Sequence, residues 1–182
     1  MYNTKLLKEK GLDAPKSWSD LLKPEYKGQI VVANPASSGT AYTFLATVIQ
    51  LMGEKEAMDY CKKLDGQIKQ YPKTGAAPAQ MAGMGEAMIG ICYMHDGITY
   101  EKQGYKDIVL SEPSEGTGYM VDSVALIKGG PDKEAAKKFI DWILTKKVEE
   151  TFKSYKEYQT PANKNAVAPK EDDVFKGIKL IN

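Results

Sequence analysis

Four short runs that suit strands, each followed by a stretch with turn residues or helical spacing, constrain the fold of this chain more than any other feature. The runs lie at residues 29–33, 67–71, 87–93 and 107–110, and all but the second are mainly apolar. Short apolar runs bounded by Gly, Pro or Asn are typical of strands buried on both faces, and strands that alternate with helices pair in parallel. The sequence therefore predicts an α/β fold, a mostly parallel sheet flanked by helices.

Polar and glycine residues follow the first three of these runs, at the points where the predicted strands end. Ligands of open α/β sheets bind outside the carboxyl ends of the strands, so these residues are candidates for a ligand site. They are Ser37, Ser38, Gly39 and Thr40 after the first run, Thr74 and Gly75 after the second, and His95 and Asp96 after the third.

The turn at residues 37–40 has the composition of an anion site at the start of a helix. The first amide groups of a helix have no internal partner and lie at the positive end of its dipole, so they can bind an anion without a lysine. Hydroxyl groups in the same turn add donors. The alternative is that one serine only caps the helix that follows. No Gly-Lys-Ser follows at the spacing of a nucleotide-binding phosphate loop.

The other candidates have alternatives of the same kind. Thr74 and Gly75 repeat the arrangement more weakly, and a simple turn explains them as well. His95 and Asp96 can contact sugar hydroxyls, hold a metal or exchange protons, but Asp96 can also serve as a helix cap beside an exposed His95. Glu115 lies in a loop expected at the same sheet edge, where an acidic side chain can equally be only solvated.

The charge balance and the scarcity of metal ligands exclude several classes of protein. The chain has 182 residues, 25 of them basic and 24 acidic, and the lysines are spread along it, so a nucleic-acid partner is not expected. It has one histidine and two cysteines, too few for a zinc cage, and we expect no cofactor. For Cys61 and Cys92 we favour two buried free thiols over a disulfide.

An enzymatic role has little support in the sequence. The Gly-X-Ser-X-Gly elbow of hydrolases is absent, and no serine or cysteine nucleophile accompanies the single histidine in the sequence. We therefore expect no catalysis. The rival hypothesis is a small-molecule hydrolase in which His95 and Asp96 act as acid and base.

Five stretches of the sequence together resemble the solute-binding proteins of ABC importers. The resemblance is to the branch labelled iron(III) transport, which also contains phosphonate and hexose-phosphate binders. It implies a periplasmic-binding-protein type II fold, work with an importer permease, and a periplasmic or cell-surface location. The stretches are PKSWSDLL (15–22), PEYKG (24–28), ANPASSGT (33–40), EGTGY (115–119) and the helix at 132–144.

Members of this family are longer and have two lobes, with the ligand between them. By resemblance, residues 1–120 form the second lobe, and residues 121–182 return to the first lobe and end in a tail. Most of the first lobe is then absent from this chain, and so is any signal segment. We expect the apolar surface that the first lobe would cover to favour a homodimer.

The resemblance also bears on the ligand. Iron binders of the family carry a Tyr-Tyr pair after the third buried strand, and this chain has Tyr93 followed by Met94, His95 and Asp96. That departure favours a small anionic solute, a sugar phosphate or related organophosphate, held at residues 37–40 and by His95 and Asp96. Ferric ion bound through Tyr93 is the alternative.

Overall fold

Two compact units make up the chain. The computed structural model describes residues 1–181, except for the side chains of residues 172–174. Unit 1 contains residues 1–119 and the segment from Gly177 onwards, and unit 2 contains residues 120–176. The assignment of residues 1–120 and 121–182 to two different lobes concerns a larger assembly and stays a prediction.

The sheet of unit 1 is mainly parallel, which confirms the predicted fold class. Its strands are β1 (Tyr2–Asn3), β2 (Ile30–Val32), β3 (Ile68–Gln70), β4 (Ile89–Ile91) and β5 (Ile108–Val109), in the order β3-β2-β4-β1-β5. Strand β2 is parallel to both β3 and β4, with Val31 opposite Gly90. Strand β1 is antiparallel to β4 and β5 and lies between them.

The helices of unit 1 connect these strands. They are α1 (Thr4–Glu9), α2 (Gly39–Met52), α3 (Glu54–Asp65), α4 (Ala77–Gly83) and α5 (Met94–Lys102). The segment after Trp18 forms a short 3-10 turn, Ser19–Leu22, followed by another at Pro24–Tyr26. Pro24 disfavours a helical conformation at the residue before it, and Lys23 is accordingly extended, with ψ at 135°.

The core of unit 1 lies around β2 and the aromatic side chains that pack near it. Ile30 and Val31 are fully buried, as expected for a strand covered on both faces. Trp18 packs on Phe44 with the ring centroids 5.2 Å apart. The Tyr60 hydroxyl donates to the Trp18 carbonyl oxygen over 2.7 Å, and burial raises the pKa of Tyr60 above its ordinary value.

Both cysteines of unit 1 are free thiols, as predicted. They are half-buried, although the sequence predicted them to be buried. Desolvation raises the pKa of Cys92 to about 11 and raises the pKa of Cys61 as well. Both side chains are therefore neutral at pH 7.

Two further strands complete unit 1. They are β6 (Thr117–Gly118) and β7 (Leu180–Ile181), which pair in parallel with Thr117 opposite Leu180. Gly118 approaches α2 closely, because a Cβ placed there would overlap the Thr47 side chain.

Unit 2 contains the helices α6 (Lys133–Ile143) and α7 (Lys146–Thr151). Asp132 caps α6, its Oδ1 accepting from the Ala135 amide over 2.8 Å. None of the α6 side chains is buried. No helix within residues 1–181 combines the length and the apolar character that a membrane crossing requires.

Candidate functional site

The turn between β2 and α2 leaves two amide groups without a partner. Ser38 is the N-cap of α2, and its Oγ accepts from the Ala41 amide over 3.4 Å. The amides of Ser37 and Ser38 both donate to the Asn34 carbonyl oxygen over 3.0 Å. Within the described part of the chain, the amides of Gly39 and Thr40 have no hydrogen-bond acceptor. The capping role and the free donors expected for residues 37–40 therefore occur together.

The second strand-end turn packs directly against the first. A Cβ on Gly75 would lie 2.8 Å from the Thr40 Cβ and 3.1 Å from the Ser38 Oγ, so only glycine fits without a shift of its neighbours. The Ser37 hydroxyl donates to the Lys73 carbonyl oxygen over 3.1 Å. The structure thus brings residues 37–40 and 74–75 together, with Thr74 exposed beside them.

His95 and Asp96 lie in the first turn of α5, which begins at Met94 directly after the N-cap residue Tyr93. The His95 Nε2 is 3.7 Å from the Asp96 Oδ1, an ion pair only when the imidazole is protonated. The side chains are 24% and 18% exposed, so both are partly open to solvent. The Tyr93 ring stacks on the His95 ring, with centroids 5.3 Å apart and an interplanar angle of 26°.

Thr43 belongs to the same region, and sequence reasoning missed it. Its Oγ1 lies 2.7 Å from the Tyr93 hydroxyl, so α2 is joined to the segment that carries His95. Either hydroxyl can be the donor. A threonine inside a helical pattern carries no signal that separates it from its neighbours, and only the fold shows its partner.

Glu115 has a structural partner in unit 1. Its Oε1 and Oε2 lie 3.1 and 3.2 Å from the Trp18 amide nitrogen, which donates to the carboxylate. The Trp18 Nε1 donates to the Gly116 carbonyl oxygen over 2.9 Å, and the Ser114 amide to the Lys16 carbonyl oxygen over 2.8 Å. These contacts fasten the loop around Glu115 to the segment around Trp18, and a contact of Glu115 with ligand stays a prediction.

No group of three His, Cys, Asp or Glu side chains among the described residues is arranged to hold a metal ion. The hydroxyl of Tyr93, the alternative ferric ligand, is hydrogen-bonded to Thr43. The polar groups that this region presents are amide, hydroxyl, imidazole and carboxylate groups. Such a set suits an oxygen-rich organic anion.

Comparison with protein families identifies the chain. The family described as bacterial extracellular solute-binding protein matches residues 1–176. This chain belongs to that family. Its members and structural neighbours are binding components of transport systems, so the prediction that the chain is not an enzyme is confirmed by this membership.

Curated proteins from other bacteria are similar in sequence to this solute-binding protein chain. A protein of Haemophilus influenzae is 44% identical over 149 residues, which is 81% of this chain and 43% of the relative. A protein of Sinorhizobium fredii, named as a probable ABC transporter periplasmic-binding protein, is 25% identical over 177 residues, 93% of this chain and 48% of the relative. The chain therefore spans about half the length of the curated relatives it matches.

Solved structures agree with the fold of the chain. The periplasmic binding protein AfuA from Actinobacillus pleuropneumoniae, with exogenous fructose-6-phosphate bound, is 41% identical with a TM-score of 0.93, covering 100% of this chain and 57% of that one. A ferric binding protein from Campylobacter jejuni is 22% identical with a TM-score of 0.77, covering 98% of this chain and 59% of that one. At that identity the second likeness shows the fold alone.

Proposed function

We propose that this chain is the ligand-binding part of a solute-binding protein that delivers a small anionic solute to an ABC importer, and that the solute is a sugar phosphate or related organophosphate. The observation that carries the proposal is the pair of unpartnered amides of Gly39 and Thr40 at the start of α2, beside Gly75. Free amides at a helix N-terminus favour an anion.

The two parts of the site have separate roles in this proposal. The amides of Gly39 and Thr40 and nearby hydroxyls donate to the phosphate oxygens. His95 and Asp96 contact the hydroxyl groups of the sugar. The fructose-6-phosphate bound to AfuA, a 41% identical protein, supports a ligand of this class.

Transport follows from binding without chemistry. Ligand contacts from two lobes stabilise a closed form, and the permease recognises that form. The location is extracytoplasmic, periplasmic or at the cell surface, in keeping with a family of bacterial extracellular proteins.

Replacing His95 with alanine tests the sugar part of the site. We expect the dissociation constant for a hexose 6-phosphate to rise about fivefold, because hydrogen bonds to the sugar are lost. Inorganic phosphate, which lacks the sugar, should bind the variant and the parent chain equally. The measurement is an NMR titration, which detects millimolar affinities and therefore suits a chain that supplies only part of the ligand contacts.

The same titrations distinguish the alternatives. If addition of ferric citrate produces a phenolate-to-iron absorption band that is lost in Tyr93→Phe, the solute is ferric ion and not an organophosphate. Hydrolysis of the hexose 6-phosphate, lost in His95→Ala, would favour the hydrolase. The affinity expected of this chain is weak, on the order of millimolar, so the probes are added at about 10-fold molar excess over millimolar protein. If neither phosphate probe binds under these conditions, the proposal is contradicted.

Unit 2 exposes a large apolar surface, which supports the expectation of a homodimer. Val121 and Ile127 are 66% and 80% exposed, and Phe139 and Trp142 are both more than half exposed. We expect light scattering to detect a dimer that dissociates on dilution, and Trp142→Lys to shift it towards monomer. A monomer at high protein concentration would contradict this expectation.

A further inference from the structure

Thr43 connects the two parts of the proposed site, although it belongs to neither predicted group of residues. It lies four residues after Gly39 on α2, so the two positions share one face of the helix. The 2.7 Å separation between its Oγ1 and the Tyr93 hydroxyl is typical of a well-formed O–H···O hydrogen bond.

The position of this bond allows it to restrain the Tyr93 ring. The hydroxyl is the end of the side chain farthest from the backbone, so a partner there restrains the rotation of the whole ring. The carbonyl oxygen of Thr43 also accepts from the Thr47 hydroxyl over 2.7 Å, a contact that holds the backbone of α2 at this position. The restrained ring is the one that stacks on His95.

His95 has contacts on its backbone and on its ring. Its carbonyl oxygen accepts from the Thr99 hydroxyl over 3.0 Å, which fixes the backbone but leaves the imidazole free to rotate. The ring contacts Tyr93 on one side, and its Nε2 lies near the Asp96 carboxylate. The Tyr93 ring and the Asp96 carboxylate therefore both bear on the orientation of the imidazole.

We propose that Thr43 is a positioning residue that holds the Tyr93 ring and thereby orients the His95 imidazole. The part of this inference that concerns ligand rests on the proposed function, whereas the orientation of His95 does not. Thr43 then affects the affinity for the sugar portion of a ligand and leaves the affinity for its phosphate portion unchanged.

The test compares Thr43→Val, which removes the hydroxyl at nearly constant shape, with Thr43→Ser, which keeps it. His95 is the single histidine of the sequence, so its imidazole proton resonances in the NMR spectrum of this chain are assigned without ambiguity. In Thr43→Val we expect these resonances to move towards those of free histidine. Thr43→Ser should restore their positions.

Tyr93→Phe is the second variant, because it removes the same hydrogen bond from the other side and keeps the aromatic ring. It should displace the His95 resonances as Thr43→Val does. This variant also decides the question if Thr43→Val fails to fold.

Affinities provide the second readout. For a hexose 6-phosphate we expect the dissociation constant to rise about fivefold in Thr43→Val and to stay within about twofold in Thr43→Ser, the effect of one hydrogen bond. For inorganic phosphate it should stay within about twofold in both variants. An equal loss for both probes would overturn the inference, because the hydroxyl would then act on the anion turn.

The outcomes separate the inference from the proposed function. Unchanged imidazole resonances in Thr43→Val and Tyr93→Phe would overturn the role of Thr43 whether or not ligand binds. If the parent chain binds neither phosphate probe, the proposed function fails, and the imidazole resonances still decide the role of Thr43.

Discussion

Replacing Trp18 with alanine should lower the free energy of unfolding of unit 1 by about 4 kcal/mol, the effect of removing a large buried side chain and leaving a cavity. Trp18 is 8% exposed and packs on Phe44. The change also leaves the Gly116 carbonyl oxygen without its indole donor. Urea unfolding followed by circular dichroism measures the loss.

Tyr42→Ala is the matched control, since it removes an aromatic side chain that is 65% exposed from α2. We expect it to change the free energy of unfolding by less than about 0.5 kcal/mol. Trp18→Phe should lie between the two, because it keeps most of the buried ring but loses the indole N–H. Equal stabilities for Trp18→Ala and Tyr42→Ala would show that Trp18 does not support the core.

Replacing Gly75 with alanine should raise the dissociation constant for inorganic phosphate about twentyfold or more, provided that phosphate binds at the start of α2. The new Cβ would overlap Thr40 and approach the Ser38 Oγ. The start of α2 must then shift, and the Gly39 and Thr40 amides lose their alignment. Overpacking of this kind also costs about 1–3 kcal/mol of stability, so binding is measured well below the unfolding midpoint.

Gly66→Ala makes the same chemical change where a Cβ is tolerated. Gly66 follows α3 with a φ of −65°, and its new Cβ would lie 3.4 Å from the Lys63 carbonyl oxygen, an ordinary contact. Phosphate affinity should be unchanged in this variant. If Gly75→Ala binds phosphate as tightly as Gly66→Ala does, the anion lies elsewhere.

The parallel part of the sheet was predictable because its signals are local. The run around Ile30 is bounded by Gly28 and Asn34, and the hydroxyl-rich turn after it contains the helix cap Ser38. Burial on both faces and helix capping depend on residues adjacent in sequence. The run at residues 29–33 contains β2, and α2 begins inside the hydroxyl-rich turn, at Gly39.

Long-range contacts determine the parts that the sequence did not predict. Strand β1 has only two residues and makes no pattern of its own, so its position between β4 and β5 could not be predicted from the sequence. The contacts of Glu115 with Trp18 join residues 97 positions apart. Thr43 likewise meets Tyr93 across 50 positions. Residue type and local spacing contain no information on such pairs, so Glu115 was predicted only as a ligand contact or a solvated side chain.

The position of β1 has a consequence for how the protein forms during synthesis. The Asn3 amide donates to the Met88 carbonyl oxygen, and the Thr4 hydroxyl donates to the Asp107 carbonyl oxygen, 103 positions later. The first of these segments to leave the ribosome therefore waits until β4 and β5 have emerged before it finds its neighbours. Contacts of such separation slow folding and prolong the exposure of unpaired strand edges. We therefore expect a chaperone to bind the nascent chain until about residue 110 has emerged.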